Sequence, residues 1–289
     1  MSSARRVLVL GARGQLGRRV VDALHAAGGW EPIATDREEL DITDTAAVRA
    51  AFAEHCPAWV VNCAGFTNVD ACETDRGTDV LNADAVATVA AAADAHGARL
   101  LHISTDYVFD GEPPPGVTTC RPYREEDPTN PLNAYGRAKL ASEGHARACK
   151  HWLIVRTAWL FGPDGRHFIA TILAAARTGK PLRVVHDQVG SPSYAPDVAS
   201  CLERLMRLDA QGVFHVVNSG QASWYEVACT ALRLAGMGGV PVAPIASSEY
   251  ASPARRPAYS VLDAARFIAA TGRTPRVWTE AAAAHLRSA

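Results

Sequence analysis

The fold is decided near the start of the chain, by the stretch Arg5-Arg6-Val7-Leu8-Val9-Leu10-Gly11-Ala12-Arg13-Gly14-Gln15-Leu16-Gly17. An apolar run after two charges is typical of a strand that is buried on both faces of a parallel sheet. The glycines that follow have the spacing G-x-x-G-x-x-G, and a helical pattern continues to Gly28. Glycines let the backbone approach a pyrophosphate, and the helix N-terminus supplies N–H donors. Because a strand and a helix flank this motif, it predicts dinucleotide binding; a tight turn between strand and helix is the plainer alternative.

Charged residues after the second predicted strand bear on the choice of cofactor. Asp36 lies 19 residues after Gly17, close to the spacing at which a carboxylate binds the adenosine ribose and favours NAD. Arg37, and Arg13 inside the glycine loop, instead favour NADPH, because arginine binds a 2′-phosphate. The two signals conflict. We predict NADPH, with NADH as an alternative.

Predicted strands and helices alternate strictly as far as Thr157. Such alternation indicates an α/β fold with a doubly wound parallel sheet of the Rossmann type. After that point the pattern loosens, and the tail mixes prolines with short elements. We predict a Rossmann domain over residues 1–158, to which residues 183–218 return. Residues 159–182 and 219–289 are expected to form a smaller C-terminal substrate-binding lobe.

The composition is that of an ordinary globular protein: of the 289 residues, 48% are hydrophobic and 20% charged, with a formal net charge of −1. This charge gives no electrostatic reason to expect nucleic acid or an anionic membrane as a partner. The N-terminal apolar run is too short for a signal peptide or a membrane span, so we expect a cytoplasmic protein. The seven cysteines are scattered and never form a C-x-x-C pair, which supports neither a disulfide framework nor a structural zinc site. We assign no metal ligands.

Tyr135 and Lys139 are the strongest candidates for chemistry. Residues four apart share one face of a helix, and only three of the 29 basic residues are lysines. A lysine ammonium lowers the pKa of a nearby phenol, so the pair can act in proton transfer, with Thr105 at a strand end orienting the substrate oxygen. The expected reaction is hydride transfer from a nicotinamide to a ketone while Tyr135 donates the proton. An exposed surface pair is the alternative.

Two further features lie next to Thr105. His102 falls inside the same predicted strand, and we interpret it as a buried packing residue rather than as a base. Residues 106–124 are rich in prolines and glycines, which predicts a loop long enough to form a flap over a site. The residues behind this prediction are Gly111, Pro113, Pro114, Pro115, Gly116 and Pro122.

Several motifs together resemble the dTDP-4-dehydrorhamnose reductase family, within the extended short-chain dehydrogenases/reductases. The most specific is the run Ser104-Thr105-Asp106-Tyr107-Val108-Phe109-Asp110-Gly111. The others are Leu40-Asp41-Ile42-Thr43-Asp44, Asn62-Cys63-Ala64, Val69-Asp70, Tyr135-x-x-x-Lys139, Arg156-Thr157-Ala158-Trp159, Asp187-Gln188-x-Gly190-Ser191-Pro192 and Arg256-Pro257.

The resemblance implies reduction of the 4-keto group of a dTDP-linked 6-deoxyhexose by NAD(P)H, with dTDP-L-rhamnose as the default product and a homodimer as a candidate assembly. Thr105, Tyr135 and Lys139 would be catalytic. Arg256 would help to bind the diphosphate, unless it simply pairs with a surface carboxylate. The other substrate residues would be Phe66, Val69, Asp106, Tyr107 and Trp159. The cofactor residues would be Gly11, Arg13, Gly14, Gln15, Leu16, Gly17, Asp36, Arg37, Asp41, Ile42, Cys63, Ala64, Gly65, Asn82, Tyr135 and Lys139.

The chain departs from the family pattern in ways that bear on the sugar. Gly65-Phe66-Thr67 stands where Ala-Tyr-Thr is common, and Tyr259 stands where an asparagine is frequent. A ketoreductase for a specialised nucleotide sugar, of the dTDP-dihydrostreptose type, is therefore the second hypothesis. A non-catalytic regulatory subunit on the same fold is the third. Tyr107 occupies the place of the glutamate that related dehydratases need, which argues against a dehydratase.

Overall fold

The computed structural model describes residues 4–75, 77–114 and 116–287. Within these ranges the strands are β1 (Arg5–Leu10), β2 (Trp30–Thr35), β3 (Trp59–Asn62), β4 (Arg99–Thr105), β5 (Trp152–Thr157), β6 (Leu160–Phe161), β7 (Leu182–Val185), β8 (Val189–Gly190), β9 (Ser193–Tyr194), β10 (Gly212–His215), β11 (Ala222–Ser223) and β12 (Val242–Ile245).

The helices of the same residues are α1 (Gln15–Ala27), α2 (Thr45–His55), α3 (Val69–Cys72), α4 (Gly77–Asp79), α5 (Ala85–Ala95), α6 (Ala134–Ala146), α7 (Phe168–Ala176), α8 (Ala195–Arg207), α9 (Trp224–Leu234), α10 (Ala265–Thr271) and α11 (Trp278–Arg287). A π-helical turn (Val80–Asp84) joins α4 to α5, and 3₁₀ turns occur at Asp106–Val108 and Ser247–Glu249.

Six strands form the central sheet, in the order β2-β1-β3-β4-β5-β10, and every neighbouring pair is parallel. The side chains of β1 alternate between two apolar cores. Val7 and Val9 pack with α1 and α8 on one face, while Leu8 and Leu10 pack with α2 and α5 on the other. The predicted doubly wound α/β fold is confirmed.

The strand order reverses between β1 and β3. The chain leaves β1 towards one edge of the sheet and leaves β3 towards the other, so the connections separate above the carboxyl ends of these two strands. Ligands of open parallel sheets bind in the crevice at such a switch point. The glycine loop after β1 and residues 63–65 after β3 face this crevice.

The smaller lobe differs in extent from the prediction. β7 pairs with β12 rather than with the central sheet, because Leu182 and Val184 bury their side chains in the core formed by α7, α9 and α11. The return to the main domain therefore begins with α8. Conversely, α10 lies in the C-terminal segment but buries Phe267 in the core beneath the central sheet.

The loop predicted over residues 106–124 is only partly irregular. The start of the predicted 106–124 loop is a 3₁₀ turn, and Tyr123 forms an isolated parallel bridge with Leu262; Pro115 lies outside the described residues.

All seven cysteines are free thiols. In the described part of the chain, no helix has the length and apolar character needed to span a membrane. Residues 4–75, 77–114 and 116–287 contain no group of three or more His, Cys, Asp or Glu side chains placed to hold a metal ion.

Candidate active site

The glycine loop fits closely between α1 and the end of β3. Gly11 has φ of +71°, and a Cβ added there would lie 2.7 Å from the backbone N of Ala64. A Cβ on Gly17 would collide with the carbonyl of Gly11. Gly14 caps α1 without any side-chain hydrogen bond, which leaves the N–H groups of the first turn free of an internal acceptor. The loop is therefore shaped for close approach of a ligand to backbone N–H groups.

A cavity of about 830 Å³ opens above the switch point. It brings together most of the residues predicted to bind the cofactor, namely Gly11, Arg13, Gly14, Asp36, Arg37, Asp41, Ile42, Cys63, Ala64 and Gly65. Phe66, which was expected at the sugar, also lines this cavity and is absent from the wall of the second cavity, which Thr105 and Tyr135 line.

The charged rim of this cavity is internally paired. The carboxylate of Asp36 accepts hydrogen bonds from the backbone N of Arg13 at 2.9 Å and of Arg37 at 2.8 Å. The guanidinium of Arg13 forms ion pairs with Glu38, at 2.5 Å, and with Glu39. Arg37 pairs with Asp41 at 3.4 Å. Both arginines expected at a 2′-phosphate thus have carboxylate partners.

A second cavity, of about 400 Å³, is lined by Thr105 and Tyr135, two of the three residues predicted to be catalytic. Gly14, Cys63 and Gly65 line both cavities, so the two are adjacent. Five groups of predicted residues meet in its wall: the glycine loop with the start of α1, the start of α3, the end of β4, α6 and the segment after β5. They are Gln15, Leu16, Gly17, Val69, Thr105, Asp106, Tyr107, Tyr135 and Trp159.

Asp106 is held in this wall by hydroxyl groups. The hydroxyl of Thr105 donates to Oδ1 of Asp106 at 3.1 Å, and that of Ser260 donates to Oδ2 at 2.6 Å. Burial raises the pKa of Asp106 to about 7, although the hydrogen bonds from Ser260 and Thr105 oppose the shift. The protonated and ionised forms of this carboxyl group are therefore both accessible near neutral pH.

The phenol of Tyr135 remains protonated at neutral pH. Burial raises its pKa above the ordinary value and the charge of Asp106 adds to the effect, whereas the hydrogen bond of Thr105 opposes it. The ring meets the ring of Tyr107 edge to face, with centroids 6.3 Å apart. A protonated phenol beside a threonine hydroxyl can donate a proton to a carbonyl oxygen that becomes negatively charged.

Helix α6 positions both Tyr135 and Lys139. Asn133 caps it by accepting a hydrogen bond from the N of Gly136 at 2.8 Å. Lys139 is only 5% exposed and does not line the two cavities; its Nζ lies 3.2 Å from Nε2 of His102. Burial lowers the pKa of Lys139 to about 8, and Glu143 and Cys63 oppose this shift. His102 is fully buried, in agreement with its interpretation as an internal residue.

Besides Lys139, two predicted site residues are absent from the walls of these cavities. Asn82 is buried beneath the loop after β3, where its side chain accepts from the N of Phe66 at 2.7 Å and donates to the O of Phe66 at 2.9 Å. Arg256 lines a third cavity, of about 690 Å³, in the lobe, and forms an ion pair with Asp70 at 3.1 Å. Asn82 thus supports the loop, and Arg256 has the carboxylate partner that was considered as its alternative.

The sequence-based prediction missed several residues that shape the site. Trp224 stacks on Trp159 with ring centroids 3.5 Å apart and lines both the second and the third cavity. Arg156 and Glu143 form a buried ion pair at 2.8 Å, and the hydroxyl of Ser104 donates to the same carboxylate. The signal for Arg156 was a charge near the end of a strand that begins with four apolar residues. No sequence signal pointed to Trp224.

Comparison with known proteins identifies the family. The model of the "RmlD substrate binding domain" family matches residues 5–289. The chain is 41% identical, over 96% of its length and 91% of the other, to a dTDP-4-dehydrorhamnose reductase of Streptomyces griseus. It is 39% identical to the spore coat polysaccharide biosynthesis protein SpsK of Bacillus subtilis, covering 98% of this chain and 97% of that one.

Among solved structures, dTDP-4-dehydrorhamnose reductase from Bacillus anthracis in complex with NADP superposes with a TM-score of 0.93. That chain is 32% identical, and the match covers 99% of this chain and 100% of the other. With a family model spanning nearly all residues and relatives near 40% identity, the chain belongs to the RmlD substrate binding domain family, that of the dTDP-4-dehydrorhamnose reductases.

Proposed function

We propose that this protein reduces the 4-keto group of a dTDP-4-dehydro-6-deoxy-L-hexose, converting dTDP-4-dehydrorhamnose to dTDP-L-rhamnose with NADPH or, alternatively, NADH. One observation carries the proposal. Thr105 and Tyr135 lie in the wall of the same 400 Å³ cavity as the start of α1, so a cofactor held by the glycine loop and a sugar held at the end of β4 would meet there. The names of the relatives, and the NADP bound to the Bacillus anthracis structure, support this reading.

The residues present fit a dinucleotide. Gly11 and Gly17 let the loop pack tightly against the backbone beside it, where a Cβ would collide, and Nε2 of Gln15 is a buried donor without a partner in the wall of the 400 Å³ cavity. The glycine loop and the first turn of α1 would hold the pyrophosphate, and Asp41 and Ile42 the adenine end. When bound, the reduced nicotinamide would supply the hydride.

The chain's own contribution is proton donation and orientation. Tyr135 would protonate the C4 oxygen, and Thr105 would hold that oxygen by a hydrogen bond. Lys139, beneath Tyr135, would stabilise the phenolate left after the transfer. Asp106, Tyr107, Val69 and Trp159 would contact the sugar. Phe66 is placed with the cofactor instead.

Arg256 would bind the diphosphate from the third cavity. Its guanidinium is paired with Asp70 through both Nη atoms, each 3.1 Å from a carboxylate oxygen. Two oxygens of a phosphate group can accept the same bidentate pair of hydrogen bonds from a guanidinium as a carboxylate does, so a diphosphate can replace Asp70 as the partner. The pair thus marks a place that already accommodates an anion.

The direct test is to measure NADPH oxidation with a panel of dTDP-ketosugars and to identify the product by NMR. We expect turnover of dTDP-4-dehydrorhamnose to dTDP-L-rhamnose. If that sugar is inert while another dTDP-ketosugar is reduced, the reaction class stands and the proposed substrate is wrong. No turnover with any ketosugar, with either cofactor, would refute the proposal.

Assembly and location stay predictions. A homodimer and a cytoplasmic location were expected from the sequence and its family resemblance. Light scattering coupled to size exclusion measures the mass in solution directly, and a mass of 30.7 kDa would contradict the dimer. Fractionation of the producing cell, followed by immunoblotting, tests the location.

A further inference from the structure

A chain of buried polar side chains runs beneath the catalytic cavity. It consists of Asn62 at the end of β3, His102 in β4, and Lys139 and Ser142 in α6. Lys139 is 5% exposed and the other three are fully buried. Buried polar groups are costly unless each donor meets an acceptor. The proton positions along the chain can therefore be worked out from its two ends.

The hydrogen bonds of Asn62, at the first end, determine that Nδ1 of His102 carries no proton. The backbone N–H of Ala64, in the loop expected at the cofactor, donates to Oδ1 of Asn62 at 3.1 Å. This contact orients the amide, so Nδ2 is the atom that lies 3.3 Å from Nδ1 of His102. Because Nδ2 is a donor, Nδ1 must accept and cannot carry a proton.

The hydrogen bonds of Ser142, at the second end, determine that Nε2 of His102 carries the proton. The hydroxyl of Ser142 lies 2.6 Å from the carbonyl oxygen of Lys139, which can only accept, so the single hydroxyl proton is donated there. The same oxygen lies 2.8 Å from Nε2 of His102 and must accept from it. Both ends of the chain thus place the proton of a neutral imidazole on Nε2.

This tautomer directs an N–H group at the lysine. Nζ of Lys139 lies 3.2 Å from Nε2 of His102. A neutral amine can accept part of that hydrogen bond, whereas an ammonium group would oppose one donor to another. The other titratable groups near Lys139 are Glu143 and Tyr135 on its own helix and Cys63 after β3, and the charge of Glu143 is matched by Arg156 from β5.

We propose that His102 is a positioning residue for Lys139: with its proton fixed on Nε2 by Asn62 and Ser142, it holds Nζ at the end of a buried chain that starts at the cofactor loop. This rests on the role proposed above for Lys139. This series of hydrogen bonds does not conduct protons to solvent, because it ends at the backbone N of Ala64 and the backbone O of Lys139. It holds Nζ in place and lowers the pKa of Lys139, and the ammonium form that the proposed role needs is the main form below about pH 8.

Because the sequence has only three lysines, the titration of Lys139 can be measured without substrate or cofactor. Lys150 and Lys180 are both exposed, and no other lysine besides Lys139 occurs in the sequence. In a Lys150→Arg/Lys180→Arg protein labelled with [ε-¹³C]lysine, a single signal reports the titration of Lys139. Its midpoint can then be followed by NMR in variants of the buried chain.

Three variants should give three different results. His102→Gln keeps an N–H donor near the position of Nε2, and the midpoint should stay within about 0.3 pH units of the parent. His102→Leu removes the donor that opposes the ammonium form, so the midpoint should rise by at least about half a unit. Ser142→Ala removes the hydroxyl that accepts from Nε2 of His102, so the N–H group can point only at Nζ of Lys139 and the midpoint should fall.

Kinetics supply an independent readout. In His102→Leu the lysine stays charged but Nζ is no longer held in place, so kcat should fall about tenfold, while His102→Gln should stay within about threefold of the parent. If leucine and glutamine give equal midpoints and equal kcat, His102 only fills space and the proposal is wrong. Should His102→Leu fail to fold, an unchanged midpoint in Ser142→Ala overturns the proposal by itself. The NMR titration decides the matter even if no ketosugar is reduced.

Discussion

Tyr135 is the residue on which the proposed chemistry depends. It lies in the catalytic cavity with a protonated phenol, and general acid catalysis typically contributes a factor of about 10² to 10⁴ in rate. Tyr135→Phe should therefore lower kcat at least about a hundredfold while the KM for NADPH stays nearly constant. NADPH oxidation assays measure both constants. Tyr225→Phe, in the lobe, is the control, and equal kcat values for both variants would exclude Tyr135 as the proton donor.

Asp106 should make stability depend on pH in a definite direction. Its pKa is raised from an ordinary 3.8 to about 7, so the folded protein binds the proton more tightly than the unfolded chain. Burying Asp106 therefore costs little stability below about pH 4, and the cost grows from there to about pH 7 and levels off above it, at roughly 4 kcal/mol at most. His102 and His215, with lowered pKa values, act in the opposite direction over part of this range.

The variant Asp106→Asn isolates this effect, because the buried histidines contribute equally to both proteins. The free energy of unfolding of the variant, relative to that of the parent, should increase between pH 5 and pH 8. Urea titrations at several pH values measure it. Asp22→Asn, on the exposed face of α1, is the control. A difference that is constant with pH would mean that Asp106 is ionised throughout.

At the scale of elements, α6 depends on one glycine for its approach to the 3₁₀ turn at Asp106–Val108. A Cβ on Gly136 would collide with the backbone O of Tyr107 and lie 3.0 Å from Pro131. Gly136→Ala should move Tyr135 away from Thr105, lower kcat, and destabilise the fold by about 1–3 kcal/mol.

The same helix supplies the control. A Cβ on Gly144 would meet no atom within 4 Å, so Gly144→Ala should leave kcat unchanged and stabilise the helix by up to about 1 kcal/mol. Thermal unfolding and NADPH oxidation measure the two effects. If both alanine variants behave alike, close packing of α6 is not what positions Tyr135.

The loop after β2 should set the choice between NADPH and NADH. Glu38 and Glu39 occupy the guanidinium of Arg13, which otherwise would be available to a 2′-phosphate. In the variant Glu38→Gln/Glu39→Gln, the ratio of kcat/KM for NADPH to that for NADH should rise about threefold to tenfold. The increase should be smaller at high salt, because salt screens the charge of Arg13. Glu31→Gln, exposed on β2, is the matched control. An unchanged ratio would show that Arg13 does not select the cofactor.

At the scale of the whole molecule, the lobe meets the main domain through pairs that are far apart in the chain. Arg256 of the lobe pairs with Asp70, and Ser260 binds Asp106. The segment after β12 therefore packs against residues of the proposed substrate site. We expect changes there to affect the nucleotide sugar and leave the dinucleotide unaffected.

Arg256→Gln tests this expectation. It removes the charge that would bind the diphosphate, so the KM for the nucleotide sugar should rise about tenfold while the KM for NADPH stays constant. Steady-state kinetics with each substrate varied in turn measure the two constants. Arg273→Gln, beside α8, is the control. Parallel increases in both KM values would indicate a general loss of structure instead.

The sequence by itself determined the parallel α/β sheet, the glycine loop and the pairing of Tyr135 with Lys139 on one helix face. Each depends on a local pattern, either an apolar run of one strand, a glycine spacing or an i, i+4 spacing. Such patterns are set by the geometry of a single element. For the same reason the first strand could be predicted in full, since the apolar run after Arg5 and Arg6 ends at Leu10, where β1 ends.

Only the tertiary structure decided which polar groups meet inside the molecule. The hydrogen bond from Ser260 to Asp106 joins residues 154 positions apart, and the chain from Asn62 through His102 to Ser142 joins three different elements. It also placed Phe66 with the cofactor cavity and paired β7 with β12. These contacts depend on how whole elements pack, and no local periodicity records which distant donor will satisfy a given buried acceptor.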